Sequence, residues 1–255
     1  MPTFEAKVDI QGTSRRVTAN VRANRLVAEL PEQELRIILP HLKLVQFGFD
    51  DVLYEHGSQI ESVYFPLDAV VSNLVLLEDG CAIETAMTGR EGIVGVSTLL
   101  GRPDARQWTR VTVGGIAAAL DRRFLNDRFT DSAVMQKIVL TSYRRLITQV
   151  SQRAVCNARH SILEKLCCWL LMIHDRVGSE DLQLTQEAIA TRLGSRRAGI
   201  TQAATILRSM RAISYVRGLI VITDRGILEH AACECYEVFR TDFDSNPSTV
   251  GFFQN

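Results

Sequence analysis

Residues 182–211 read LQLTQEAIATRLGSRRAGITQAATILRSMR, and the fold turns on this stretch. Thr185 is suited to cap a helix, because its hydroxyl can accept a backbone N–H that the first turn leaves unpaired. Gln186 to Leu193 then gives a helix of two turns, with Ile189 and Leu193 four residues apart on its buried side. Gly194 stands where the chain must turn sharply, and glycine takes the left-handed conformation without strain. Ser195 is placed to cap a second helix over about 196–211. Stepping about 100° per residue puts Ile200, Ala203, Ala204, Leu207 and Met210 on one side. The small Ala203 and Ala204 let the first helix cross closely. On the opposite side fall Arg197, Ala198, Thr201, Gln202, Thr205 and Arg208, with no acid and no large hydrophobe.

That face suits a DNA major groove. The groove admits one helix, arginine can bond guanine bidentately, glutamine can do so with adenine, and threonine offers a methyl and a hydroxyl. Arg197, Thr201 and Gln202 are therefore assigned to bases. Ser195 and Arg196, at the helix N-terminus, are assigned to phosphate, which the free N–H groups and the dipole favour there. Arg208 lies further along and is assigned to backbone phosphate; Thr185 and Gln186, opening the first helix, complete this side of the interface. After Met210, Ile213-Ser-Tyr-Val and Leu219-Ile-Val-Ile flank Arg217-Gly218 and predict a β-hairpin wing, with Arg217 at its tip reaching phosphate or minor groove. From Arg192 to Arg217 there are six arginines (192, 196, 197, 208, 211 and 217) and no acid. In a chain with 29 basic and 29 acidic residues, such a local stretch points to an anionic partner. A solvated amphipathic helix pair is the plainer reading. The cap, the glycine turn, the polar face, the basic stretch and the wing all weigh against it.

Upstream, Ile116 to Val177 contains neither Gly nor Pro. Leu140, Tyr143, Ile147, Val150 and Ala154 recur there at spacings of three and four, predicting a long helix with a coiled-coil-like seam. The seam reads as a dimer interface in preference to a core face of one domain. A second helix is expected from about His160 to Arg176, with Leu163, Leu166, Cys167, Leu170 and Ile173 inward, ended by Gly178. Residues 44–123 differ: short β-prone runs (63–65, 70–77, 82–87, 111–113, 116–120) alternate with glycine turns, which implies a β-sandwich or barrel-like roll. Residues 31–39 predict a short helix begun by Pro31, with Leu35, Ile38 and Leu39 on one face. The alternation over 4–21 predicts a β-hairpin.

Hydrophobic residues make up 46 % and charged residues 23 %, a globular balance. No apolar run reaches about 18 residues, so no membrane span is expected, and the N-terminus lacks the layout of a secretion signal, so a cytoplasmic location is expected. The six cysteines (81, 156, 167, 168, 233 and 235) and five histidines (41, 56, 160, 174 and 230) show no paired zinc spacing. Cys233-x-Cys235 is the one suggestive pair. Buried or idle thiols are expected, and no metal site is assigned. No P-loop, GxSxG, HExxH or dinucleotide fingerprint is present, so no catalytic residue is assigned and no enzyme is expected. Glu84 and Glu91 read as solvated strand and turn residues.

Taken together, Leu184-Thr-Gln-Glu-x-Ile-Ala-x-x-Leu-Gly-x-x-Arg197 resembles the DNA-binding signature of the Crp/Fnr transcription regulators. The order of elements from about residue 30 is similar too. The resemblance implies an α+β fold: an N-terminal cyclic-nucleotide-binding-like β-roll or jelly roll, a long dimerisation helix and a C-terminal winged helix-turn-helix. The corresponding layout is an N-terminal extension over 1–24, the sensor roll over 25–131, the dimer helix over 132–158, the DNA-binding domain over 159–230 and a tail over 231–255. Arg197 takes the place of the family's main base-reading arginine. Ala198 stands where many members have glutamate, and Gln202 where arginine is common, so a different half-site is expected. Thr88 to Ser97 looks like the family's phosphate-binding cassette, which makes Gly89, Glu91, Gly95, Val96, Arg106, Gln107 and Trp108 the candidate effector site. Val96 replaces the glutamate that holds a ribose hydroxyl, and Arg106-Gln107-Trp108 lacks the small hydroxyl residue that follows the phosphate-binding arginine. A cyclic nucleotide or other small effector, if one is used, is therefore expected to bind otherwise than cyclic AMP usually does. The partners implied are double-stranded DNA, a second copy of the chain and, for an activator, RNA polymerase. The competing reading is a ligand-sensing or protein-interaction module that has lost DNA binding.

Overall fold

The computed structural model describes residues 21–99, 101, 103–216 and 218–244. Along them the elements run α1 (Arg25–Ala28), α2 (Glu32–Ile38), β1 (Lys43–Phe47), β2 (Val52–Tyr54), β3 (Ser62–Pro66), β4 (Val70–Leu76), β5 (Ala82–Thr88), β6 (Trp108–Val113) and β7 (Gly115–Asp121). They continue with α3 (Arg122–Asp131), α4 (Ala133–Arg159), α5 (Ile162–Val177), β8 (Asp181–Gln183), α6 (Gln186–Arg192), α7 (Arg197–Ser209), β9 (Ile213–Val216), β10 (Leu219–Ile222), α8 (Arg225–Ala231) and α9 (Cys235–Asp244). The chain divides into two compact units. One takes the described residues of Met1–Val71 and Thr88–Leu146, the other Ser72–Met87 and Ile147–Asp244.

In the first unit, strand alternation feeds two cores. The antiparallel sheet β1-β7-β3 pairs Lys43 with Ala119 and Phe47 with Gly115 on one side of β7, and Ser62 with Asp121 and Pro66 with Ala117 on the other. Because successive side chains point to opposite faces, Leu44, Val63, Phe65, Ala118 and Leu120 join the helical residues Leu26, Leu35, Ile38, Leu125, Met135 and Ile138. Phe47, Tyr64 and Ala117 point the other way, into a core shared with Tyr54, Ile60, Val94 and Val111. Small residues in central β7 let both layers close on it. Asn24 joins the helices to this sheet: its side-chain oxygen caps α1, and its amide donates to the carbonyls of Pro66 and Gly92, so its buried polar atoms are matched. Glu34 in the first turn of α2 accepts both Arg128 and Ser132.

In the second unit, α5 starts with a capping box of Ser161 and Glu164 and ends at Gly178, which has φ of 69°. It is buried on every side from Leu166 to Ile173. The segment Ser72–Met87 is fastened by polar groups. The Glu84 carboxylate accepts from Arg153 of α4, from the Trp169 indole of α5 at 2.9 Å and from the Ser72 hydroxyl. The Gln149 amide carries the backbone bonding of β5 onward, meeting both the N–H and the carbonyl of Met87. Helices α8 and α9 are held by Arg225, which meets Asp175 at 2.8 Å, His174 Nδ1 at 2.6 Å and the Tyr236 hydroxyl. Burial first, and then the Arg225 charge, push the His174 imidazole below its ordinary value, keeping it a neutral acceptor.

Several expectations change. Glu84 and Glu91 are buried, not solvated, because each finds donors inside. Helix α3 fills part of the Gly- and Pro-free run, capped by Asp121. Strand β8 adds a third strand beside the wing. The segment read as a C-terminal tail contains α9, which buries Cys235, Tyr236, Phe239 and Phe243. The hairpin expected over 4–21 lies outside the described residues except for Val21, which is buried in the helical core.

Replacing Glu84 by Gln keeps the shape but leaves the buried Arg153 guanidinium without its counter-charge. The expected cost is about 3–5 kcal/mol. Urea unfolding followed by circular dichroism measures it, and a midpoint equal to wild type would refute the role given to this carboxylate.

Candidate nucleic-acid interface

Helix α6 begins where expected: the Thr185 hydroxyl accepts the Ala188 N–H at 3.1 Å. Gly194 has φ of 58°, and a Cβ there would stand 3.2 Å from the Ile83 side chain, so the turn needs glycine for its backbone and has little room beside it. Helix α7 buries Ile200, Ala203, Ala204 and Leu207. At Gly199 a Cβ would come within 2.6 Å of the Ile162 side chain, so the glycine sets how closely α7 lies on the start of α5.

The outward face of α7 is open. Arg196, Arg197, Ala198, Thr201, Gln202, Thr205 and Arg208 are all exposed. The Thr201 hydroxyl donates to Gln186 Oε1 at 2.8 Å, which joins the two helices across this face. Arg197 lies 3.7 Å from Glu187, and both side chains are about two-thirds exposed; such a pair is worth at most about 1 kcal/mol and releases its arginine easily. Three details depart from expectation. The cap residue of α7 is Arg196, and Ser195 instead donates its hydroxyl to the Leu193 carbonyl at 3.3 Å, because the turn faces it backwards. Met210 ends the helix and is exposed instead of inward. Arg192 is buried and adds nothing to the basic surface. The wing forms from β9 and β10, with Leu219 opposite Val216, and β8 pairs along the other edge of β10. Arg217 at its tip lies outside the described residues; its neighbour Gly218 has φ of 86°.

On α4, Leu140, Ile147, Val150 and Ala154 are exposed, while Tyr143 is half-buried against the helical core. Ile147 is 50 % accessible and Val155, beside the same stripe, 52 %. A row of large apolar side chains facing outward along one helix is an uncovered surface.

The cassette residues Gly89, Glu91, Gly95 and Val96 form one tight segment. The Gly89 N–H donates to Glu91 Oε1 at 3.2 Å, and Val96 is buried in the helical core. A Cβ on Gly95, which has φ of 85°, would lie 2.6 Å from the Tyr54 hydroxyl. Tyr54 is buried and donates to the Ser62 carbonyl at 2.6 Å; burial, then the neighbouring Tyr64, raise its phenol well above its ordinary value, so it stays a neutral donor. Phe47 meets Tyr64 edge to face with ring centres 5.3 Å apart. Phe47, Tyr54 and Tyr64 thus pack together inside the roll, beside Gly95. Arg106 is exposed and pairs with Asp104 at 3.3 Å; Gln107 and Trp108 are half-buried, and the Arg110 guanidinium stands 5.5 Å over the Trp108 ring.

With this geometry established, the family comparison is direct: a model of the Crp-like helix-turn-helix domain matches residues 164–231. The chain carries a Crp-like helix-turn-helix domain. No curated protein matches its sequence. Among solved structures it is similar to FixK2 from Bradyrhizobium japonicum, at TM-score 0.65 and 16 % identity over 75 % of this chain and 98 % of that one. A putative Crp/Fnr-family regulator from Eubacterium rectale has TM-score 0.63 at 16 % identity, covering 86 % of this chain and 99 % of that one. The regulator CLP from Xanthomonas campestris has TM-score 0.63 at 12 % identity, covering 76 % and 100 %. At these identities the likeness shows the fold: β-sheet region, long helix and helix-turn-helix in the order of the Crp/Fnr regulators. No helix among the described residues is long and apolar enough to cross a membrane.

One convergence went unread in the sequence. Cys156 and His160, four apart on α4 and just after it, meet Cys233 and Cys235. Their spacing of i and i+4 was the available signal.

Gly194→Ala forces a side chain into a left-handed turn. A loss of roughly 1–2 kcal/mol is expected, read as a lower urea midpoint; an unchanged midpoint would mean the Gly194 conformation is not required.

Proposed function

We propose that the chain is a homodimeric, sequence-specific DNA-binding transcription regulator of the Crp/Fnr type, acting in the cytoplasm. The observation that carries this is the acid-free outward face of α7. Arg197, Thr201 and Gln202 read bases in the major groove; Arg196, Arg208 and Ser195 with its backbone meet phosphates, as does Arg217 of the wing. Thr185 and Gln186 set the angle of approach, Gln186 through its bond with Thr201. The exposed stripe of α4 covers itself against a second copy, which pairs two α7 helices on a palindrome with half-sites about one turn, roughly 10 bp, apart. An activator of this kind would also touch RNA polymerase. Tyr54 standing against Gly95 of the cassette and Val96 buried in the core support a sensor that does not take cyclic AMP in the usual manner.

Binding of fluorescent DNA, with the operator first selected from random duplexes, tests this reading. Arg197→Ala is expected to cost about 1–3 kcal/mol and relax preference at one base pair, whereas Arg196→Ala weakens all sequences alike and lowers the salt slope by about 1. Absence of any salt-dependent binding would favour a module without DNA binding. Ile147→Glu places a charge on the stripe; sedimentation should then show monomer where the wild type is a dimer. A dimer that survives this change, or a wild-type monomer, would exclude the α4 interface.

A further inference from the structure

The geometry points to a structural zinc site built from Cys156, His160, Cys233 and Cys235. Their ligand atoms all lie within 4.8 Å of one another, and the three cysteines are buried. Cys156 Sγ is 3.6 Å from Cys233 Sγ, and Cys235 Sγ is 3.5 Å from His160 Nδ1. A tetrahedral zinc ion with Zn–S near 2.3 Å and Zn–N near 2.0 Å holds two sulfurs about 3.8 Å apart and a sulfur and a nitrogen about 3.5 Å apart. The two distances are those of ligands round one ion.

The surroundings suit the assignment. The imidazole turns Nδ1 toward the sulfurs, while Nε2 lies 3.2 Å from the Glu234 carboxylate. A carboxylate on the far nitrogen fixes the tautomer that leaves the near one free to ligate. Gln152 donates its amide to Cys235 Sγ at 3.1 Å, as expected around a thiolate. Cys168 stands behind Cys233, hydrogen-bonded to it. Three buried thiols and one half-buried imidazole supply all four positions, a donor combination of structural zinc, whereas a catalytic site would keep a position open. Two other fates of the thiols fit less well. A sulfur separation of 3.6 Å far exceeds the roughly 2.05 Å of a disulfide. An iron–sulfur cluster gives separate iron atoms their own ligands and needs a wider cage.

The place of the site gives it a purpose. Two ligands come from the end of α4 and the residue after it, two from the loop and first turn that open α9, and they bracket the Crp-like domain matched over 164–231. One ion ties the entry of that domain to its exit. Closing so long a loop restrains the unfolded chain, and binding is linked to folding.

The test uses the full chain, purified without a polyhistidine tag under reducing conditions, with metal content measured by plasma mass spectrometry. About one zinc per chain is expected in the wild type and in Cys81→Ser, whose cysteine lies outside the cluster; Cys233→Ser is expected to lose it. Because that variant can fail to fold, the wild type is also stripped with a chelator and reloaded with cobalt. Cobalt should give the visible bands of a tetrahedral site with thiolate charge transfer, and stripping should lower the melting temperature reversibly. The proposal fails if the folded wild type takes up neither zinc nor cobalt stoichiometrically or if Cys233→Ser keeps its zinc. It also fails if the chain holds iron with acid-labile sulfide, or if mass mapping finds Cys156 and Cys233 oxidised to a disulfide.

Discussion

The helix-turn-helix unit depends on one buried carboxylate. Glu84 lies on a strand with its side chain wholly enclosed, and removing its charge from water costs several kcal/mol. Arg153, Trp169 and Ser72 offset that cost by directing three donors at it. The donors come from α4, α5 and β4, so the carboxylate can be satisfied only when all three are in register. Ile83, next to Glu84, comes within 3.2 Å of where a Cβ on Gly194 would stand. The position of the turn between α6 and α7 thus follows from where β5 is held, and β5 is held by an ion pair that tolerates little displacement.

Much of the fold was legible because its signals are local. The β-prone runs between glycines became β3 to β7 with boundaries within a few residues, since a turn needs its glycine and a two-faced strand needs its alternation. Thr185 and Gly194 announced the helix-turn-helix for the same reason: a cap and a left-handed turn act on neighbours. What failed to show was non-local. A glutamate in a strand reads as solvated until Arg153 and Trp169, 69 and 85 residues away, are placed beside it. Helix α3 is short and fully buries only Leu125, with Phe124 and Phe129 half-buried beside it, so its apolar face is brief. Arg192 counted as surface charge because a run of arginines says nothing of which one turns inward.

The cysteines illustrate the same limit. Spacing rules for metal sites assume that ligands arrive as close pairs in a single small module. Here one pair is a helical step, Cys156 to His160, and the other a step of two, Cys233 to Cys235, with Cys156 and Cys233 77 positions apart. Each half is weak alone. Only the folding of α9 back onto the unit brings them together, and α9 fell in a stretch that looked like a tail.

The roll and the cysteine cluster differ in how ready they are to take a ligand. Tyr54 stands against Gly95 of the cassette and satisfies the Ser62 carbonyl, so a ligand entering there would displace it. Breaking that half-buried bond costs on the order of 1 kcal/mol, before the lost contact with Tyr64 is counted. A ligand would have to recover this from its own bonds, with Arg106 turned outward to Asp104. The four donors of the cysteine cluster already lie within 4.8 Å of one another, so holding an ion there takes only a small contraction. Holding an ion therefore asks less of the cysteine cluster than holding a nucleotide asks of the roll.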